Sequence, residues 1–102
     1  MGHRVVFRPR AEAALADLYA YIRDESGHPE TAIRYIRRIR TLCESLAELP
    51  ERAPLRPGVG PGVRVLAHKR RIAIAYRVLA EEVEILGIFY AGQFFEGAFN
   101  DA

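Results

Sequence analysis

Between residues 70 and 78 the sequence RRIAIAYRV alternates with a period of two. Ile72, Ile74, Tyr76 and Val78 fall on one side; Arg71, Ala73, Ala75 and Arg77 fall on the other. Such alternation predicts a strand with one buried face. The second face is unusual, because two arginines bracket two alanines where a solvated face normally carries polar residues.

The same reading extends along the chain. HRVVFR, residues 3–8, predicts a short strand with Val5 and Phe7 on one face. Pro9 ends that strand and suits the opening of a helix. Apolar residues then recur at helical spacing as Ala11, Ala14, Leu15, Leu18, Tyr21 and Ile22, with Glu12, Asp17, Arg23 and Asp24 opposite. Gly27 is placed to stop the helix. Pro29 and Glu30 suit the first turn of a second helix. Its apolar stripe is Ala32, Tyr35, Ile36, Ile39, Leu42, Cys43, Leu46 and Leu49. Its polar face is Arg34, Arg37, Arg38, Thr41, Glu44, Ser45 and Glu48. The link between the helices is so short that they must fold back as an antiparallel hairpin.

PERAPLRPGVGPG, residues 50–62, holds four prolines and three glycines and predicts a long irregular loop. Three strands follow at residues 63–68, 71–78 and 83–90, joined by the short gaps KR and LAEE. The last is apolar on both faces, which predicts a central position in the sheet. The order β-αα-βββ gives an α+β fold in one domain, residues 1–102. An antiparallel helical hairpin packs on one face of a mostly antiparallel sheet. The other sheet face has no helix to cover it, and Arg71, Ala73, Ala75 and Arg77 are expected there.

Composition narrows the function. Half of the 102 residues are hydrophobic, so the chain folds rather than remaining disordered. Its one cysteine, Cys43, allows no internal disulfide and fits a reducing compartment. No stretch has the makeup of an export signal, and the longest apolar run, residues 85–91, is far too short to span a membrane. The expectation is a soluble, cytoplasmic protein with no membrane partner. The net charge of +2 is only mildly basic, but the positive residues cluster.

Most catalytic chemistry finds no support. His3, His28, His68 and Cys43 lack metal-ligand spacing, and Cys43 sits on an apolar stripe, so neither a metal nor a cofactor is expected. Ser26 and Ser45 have no glycine-flanked elbow around them. GVGPG is followed by neither a helix nor a lysine, unlike a phosphate cradle. Glu81 and Glu82 read as a solvated turn. Two basic clusters carry more information. Arg34, Arg37, Arg38 and Arg40 lie on the second helix, where a solvated face balanced by Glu44 and Glu48 is the simpler reading. HKRR, residues 68–71, with Arg64 and Arg77 across the hairpin, reads equally well as an exposed turn or as a surface for an anion or an acidic partner. Arg64 and Arg71 are expected to share the uncovered face. Near the C-terminus, Tyr90 is expected to fold back on the core and Phe94 and Phe95 to meet a partner.

Taken in order, VVFRPRAEAALADLYAYI, GHPETAIRYIRRIRTLCESLAELPERA, PGVRVL, RIAIAYRV and VEILGIFYAGQ resemble the RelE/ParE toxins of type II toxin–antitoxin modules over nearly the whole chain. The resemblance implies the fold already read from periodicity. It also implies one of two activities. RelE-like members cut mRNA in the ribosomal A-site, using basic residues around the phosphate with an acid and a base for 2′-OH attack. ParE-like members poison DNA gyrase without a catalytic site of their own. RelE-like members carry an arginine on the middle C-terminal strand, three residues before an aromatic; here Ala73 stands three before Tyr76. They carry another arginine and a tyrosine after the last strand; here AGQFFEGAF has neither. The helices and strands are more similar to the ParE branch, which implies a non-catalytic toxin with a ParD-like antitoxin. The antitoxin's C-terminal segment is expected to lie against Arg64, Arg71, Ala73, Ala75 and Arg77 of the sheet and Leu15 and Tyr19 of the first helix. Tyr90, Gln93, Phe94, Phe95 and Phe99 are the expected target-binding residues, and operator DNA is met only through the antitoxin. A ribosome-dependent mRNA endoribonuclease and a non-toxic antitoxin-binding member remain the alternatives.

Overall fold

A computed structural model of the chain describes residues 2–90, 93, 98 and 99. The elements are β1 (Arg4–Phe7), α1 (Pro9–Ser26), α2 (Pro29–Glu44), a 3₁₀ turn (Ser45–Ala47), β2 (Val63–His68), β3 (Ile72–Val78) and β4 (Glu82–Tyr90). Both helices open on proline, whose fixed φ suits the first turn and whose missing N–H costs nothing there. Gly27 closes α1 in the left-handed conformation at φ 75°, and its N–H donates to the Arg23 carbonyl at 2.8 Å. The second helix ends sooner than its apolar stripe predicts. The chain tightens into the 3₁₀ turn, and Leu49 emerges 64% exposed.

The sheet order is β1-β4-β3-β2, which makes β4 central as its two apolar faces require. β2, β3 and β4 pair antiparallel, whereas β1 lies parallel to β4, with Arg4 opposite Glu82 and Phe7 opposite Ile85. The sheet is therefore mixed. Helices α1 and α2 cover one face. Ala11, Leu15 and Leu18 of α1 and Ile39 and Cys43 of α2 pack with Leu66, Ile72, Ile74, Tyr76, Val83, Ile85 and Ile88 of the sheet. Each buried aliphatic side chain stabilises by about 1.5–3 kcal/mol. Tyr76 is fully buried, and its hydroxyl donates to the Pro50 carbonyl at 2.8 Å and accepts from the Ala53 N–H at 3.4 Å. That pair ties the irregular 50–62 segment to the core. Burial raises the Tyr76 pKa and so keeps the donating proton in place.

The opposite face is not open, contrary to the expectation from topology. Val59, Val63, Val65, Ala75, Leu86 and Phe99 form a second apolar cluster upon it. The 50–62 loop crosses the face, and the Phe99 N–H donates to the Val59 carbonyl at 2.9 Å. Gly60 permits this approach, since a Cβ there would meet the Phe99 carbonyl oxygen at 2.7 Å. A bulge in β4 sets Ala75 opposite Gly87 but Tyr76 opposite Ile85, and the extra residue, Leu86, joins the second cluster.

Candidate functional site

Beyond the second cluster, the far face divides by charge. At the β1 end, Arg4 pairs with Glu82, and Arg8 donates through Nε to Glu84 at 2.7 Å. Arg77 reaches Glu84 at 3.9 Å and donates to the Pro61 carbonyl from Nε at 3.2 Å and Nη2 at 3.0 Å. Arg77 is thus a strap for the loop. Arg64 lies on the other face of the sheet: it stands opposite Tyr76, and its Nη1 donates to the Ala53 carbonyl at 2.7 Å. It shares no surface with Arg71, which corrects the expected pairing of the two. Arg64 and Arg77 also stand at the end of the β2–β3 hairpin away from HKRR.

The opposite end of the sheet holds a cleft and a recess that meet at Tyr90. Residues 68–71 form the β2–β3 turn, in which the Arg71 N–H donates to the His68 carbonyl at 3.1 Å. Lys69 and Arg70 adopt φ of 52° and 60°, the conformation that a type I′ turn demands and that normally selects Asn-Gly. A cleft of about 580 Å³ lies between this turn and the helices, lined by Leu18, Tyr21, Ile22, Tyr35, Arg71 and Tyr90 among others. A recess of about 230 Å³ continues past the turn along Ala67, Ala73, Phe89 and Gln93. Tyr90 borders both. Its ring lies 5.3 Å from that of Tyr21, and burial, then Asp17 and Tyr21, raise its hydroxyl pKa. The Tyr90 N–H donates to Gln93 Oε1 and the Gln93 N–H to the Tyr90 carbonyl, both at 3.0 Å, which fixes the chain as it leaves β4.

The structure therefore gathers Arg71, Ala73, Tyr90 and Gln93 of the expected residues, and scatters the others. Leu15 and Ala75 are enclosed in the two apolar clusters and offer a partner no surface. Tyr19 is half-buried with the Arg23 guanidinium 5.6 Å from its ring centre. Phe99, expected to face a target, is only 7% exposed and lies beneath the Arg10 guanidinium at 4.7 Å. Phe94 and Phe95 lie outside the described residues. Tyr21 and Tyr35 are absent from the expected site residues, and Arg70 appears among the expectations only as part of the basic HKRR turn. Their shared place on the cleft depends on how the hairpin tip meets the helices, although Tyr21 at 44% exposure breaks the apolar stripe that its spacing predicts.

Ala73 faces Ala67 and Phe89 across the strands. The far-face carboxylates, Glu82 and Glu84, are paired with arginines at the other end. Cys43 is enclosed, its thiol pushed up to about 12 by burial, so it offers no thiolate. Among the described residues no group of His, Cys, Asp and Glu is arranged to hold a metal ion, and no helix is long and apolar enough to cross a membrane.

The comparisons with known proteins agree on one family. A chain of the chromosomal ParDE toxin–antitoxin system from P. aeruginosa superposes with a TM-score of 0.75, at 27% identity over 86% of this chain and 95% of that one. A chain of the toxin–antitoxin complex RelBE2 from Mycobacterium tuberculosis superposes with a TM-score of 0.65, at 20% identity over 88% of this chain and 99% of that one, and so shares the fold. Among curated proteins, none matches. The family model described as the ParE toxin of the type II toxin–antitoxin system parDE matches residues 5–93, from β1 through the turn that Gln93 closes. With strands, helical hairpin and central β4 all inside that match, the chain belongs to the ParE toxin family of type II toxin–antitoxin systems.

Proposed function

We propose that this chain is a toxin that acts on DNA gyrase by binding rather than by catalysis, and that a ParD-like antitoxin neutralises it in the cytoplasm. The family match over residues 5–93 and the likeness to the ParDE system support the pairing with an antitoxin. One observation carries the non-catalytic reading: the centre of the far face is built from Ala73, Ala67 and Phe89, with no acid–base pair beside them. Arg71 can neutralise a phosphate or a carboxylate, but the side chains at the centre of the face, Ala73, Ala67 and Phe89, carry no group that moves a proton. The antitoxin segment is assigned to the cleft and recess at the β2–β3 turn. Tyr21, Tyr90 and Ala73 offer apolar contact there, and Arg71 offers a charged one. Base-specific reading of operator DNA is left to the antitoxin. Gln93 and the aromatic segment after it are assigned to the target.

The test is a pulse of expression in a bacterium lacking the antitoxin, with DNA and protein synthesis followed separately over the first minutes. An early fall in DNA synthesis is expected. An early fall in protein synthesis would overturn the gyrase reading and make Arg71 the leading catalytic residue. If neither falls, the chain binds its antitoxin without being toxic.

A further inference from the structure

Two groups of basic residues in this protein contrast. Arg4, Arg8, Arg23, Arg40 and Arg77 are paired with carboxylates, and Arg64 is spent on a backbone carbonyl. Arg34, Arg37 and Arg38 of α2 and Lys69 and Arg70 of the β2–β3 turn are exposed and take part in no ion pair among the described residues.

These five cations form one surface. At about 100° per residue, Arg34, Arg37 and Arg38 occupy an arc of about 100° on α2. Tyr35, at the edge of that arc, lines the same cleft as Arg70. After burial, the charges of Lys69 and Arg38 together hold the His68 imidazole below its usual pKa, so helix and turn share one field. The turn is also strained for its residues. Two non-glycine residues sit at positive φ where Asn-Gly would fit without cost, and what they add over Asn-Gly is charge.

We infer that the α2 face and the β2–β3 turn together bind the phosphodiester backbone of a nucleic-acid duplex, without base readout. Four of the five cations are arginines, whose planar forks match phosphate oxygens. Arg34 and Arg38 stand about 6 Å apart along the helix axis, close to the rise of two phosphates on one strand. The arc between Arg37 and Arg38 holds Arg34, Thr41 and, in the first turn of the helix, Glu30; the nearest exposed apolar residue, Ile33, lies about 40° outside it, so the arc itself lacks the apolar anchor that a peptide partner would need. It presents no stack of exposed rings, which a single strand would need. The antitoxin's place in the cleft adjoins this surface and shares Arg70 with it. The inference stands whether or not gyrase is the target.

The test is fluorescence anisotropy of the full chain with a labelled DNA duplex of arbitrary sequence, about 20 base pairs long, between about 50 and 200 mM salt. Five phosphate contacts predict a log–log salt slope of about −4.5. Replacing Arg34, Arg37 and Arg38 together by alanine should weaken binding at least about tenfold at low salt and bring the slope to about −2. Lys69→Asn with Arg70→Gly suits the turn better, so it should melt no lower than the parent chain yet bind more weakly. That separates lost charge from lost fold. A duplex RNA arm assigns the source: equal binding keeps the shared backbone as ligand, and binding of one duplex alone names it. No binding at low salt, an unchanged slope in the triple variant, or tighter binding of a poly-glutamate peptide than of the duplex would overturn the inference. The last would give the surface to an acidic protein instead.

Discussion

The two faces of the sheet are built from the same strands and held in different ways. The helix face buries long aliphatic side chains from two regular helices, pinned by a tyrosine with both hydroxyl partners inside the protein. The far face is covered by a loop and a single returning phenylalanine over alanine and glycine. The first arrangement is a conventional core, where each lost methylene is felt. The second is thin, and its cover is an irregular loop held by point attachments from Tyr76, Arg64 and Arg77 rather than by a regular element. Stability is therefore expected to reside on one face and adaptability on the other.

The sharpest way to break this comparison is to change side-chain size on each side. Ile74→Ala, at a fully buried position among the helices, should cost about 2–5 kcal/mol in denaturant unfolding, while Ala73→Val, its neighbour on the other face, should cost under about 1 kcal/mol. Equal costs would mean that the faces are not mechanically distinct. The helix face should also be the one that responds to alkali. In the folded chain Cys43 ionises near 12, against 9.0 when free. A raised pKa leaves its contribution intact below about pH 9. Above that, the unfolded thiol ionises and the folded one does not, so stability falls by about 1.4 kcal/mol per pH unit towards pH 12. Cys43→Ala should flatten the melting temperature between pH 9 and 11.

Removing residues 93–102 takes away Phe99 and should cost only about 1–2 kcal/mol, leaving the circular dichroism of the helices intact. Growth inhibition should vanish with that segment; a truncated chain that still kills would detach the tail from toxicity. The smallest effect is expected from Gly87→Ala. Its Cβ would lie 2.9 Å from the tip of the Phe99 ring and 3.2 Å from that of Phe89. Both rings can yield, so the cost should stay under about 1 kcal/mol. The readout is displacement of Phe99, seen as altered aromatic shifts in NMR spectra.

Much of the helix face was legible in the sequence, and little of the far face was. Ile72, Ile74 and Tyr76 declare their side by alternation, and Pro9, Gly27 and Pro29 mark the helix ends, because these signals are local. Arg64 was misassigned for a definite reason. A two-residue turn at KR would put Arg64 across from Ala75. The actual three-residue connection, with His68 opposite Ile72, shifts the register by one and turns Arg64 to the other side. Ala75 looked accessible because nothing in the spacing of GVGPG announces that Val59 will lie over it. The parallel partnership of β1 with β4 and the meeting of Tyr35 with Arg70 arise only once distant elements dock. Of the site, Arg71, Ala73 and Tyr90 were readable because they lie at or next to strand ends. The cleft they border was not.

The pairing of β1 with β4 also sets an order of events during synthesis. The first strand can engage only one neighbour, and that neighbour begins at Glu82. At about 5–20 residues per second, the N-terminal strand waits on the order of ten seconds after it is made before its partner exists. The central strand of the sheet is thus translated after both helices and the three other strands. A nascent or prematurely terminated chain has a helical hairpin but no closed sheet, no seat for Phe99 and no cleft beside Tyr90. A chain must accordingly be translated through Tyr90 before this fold can close.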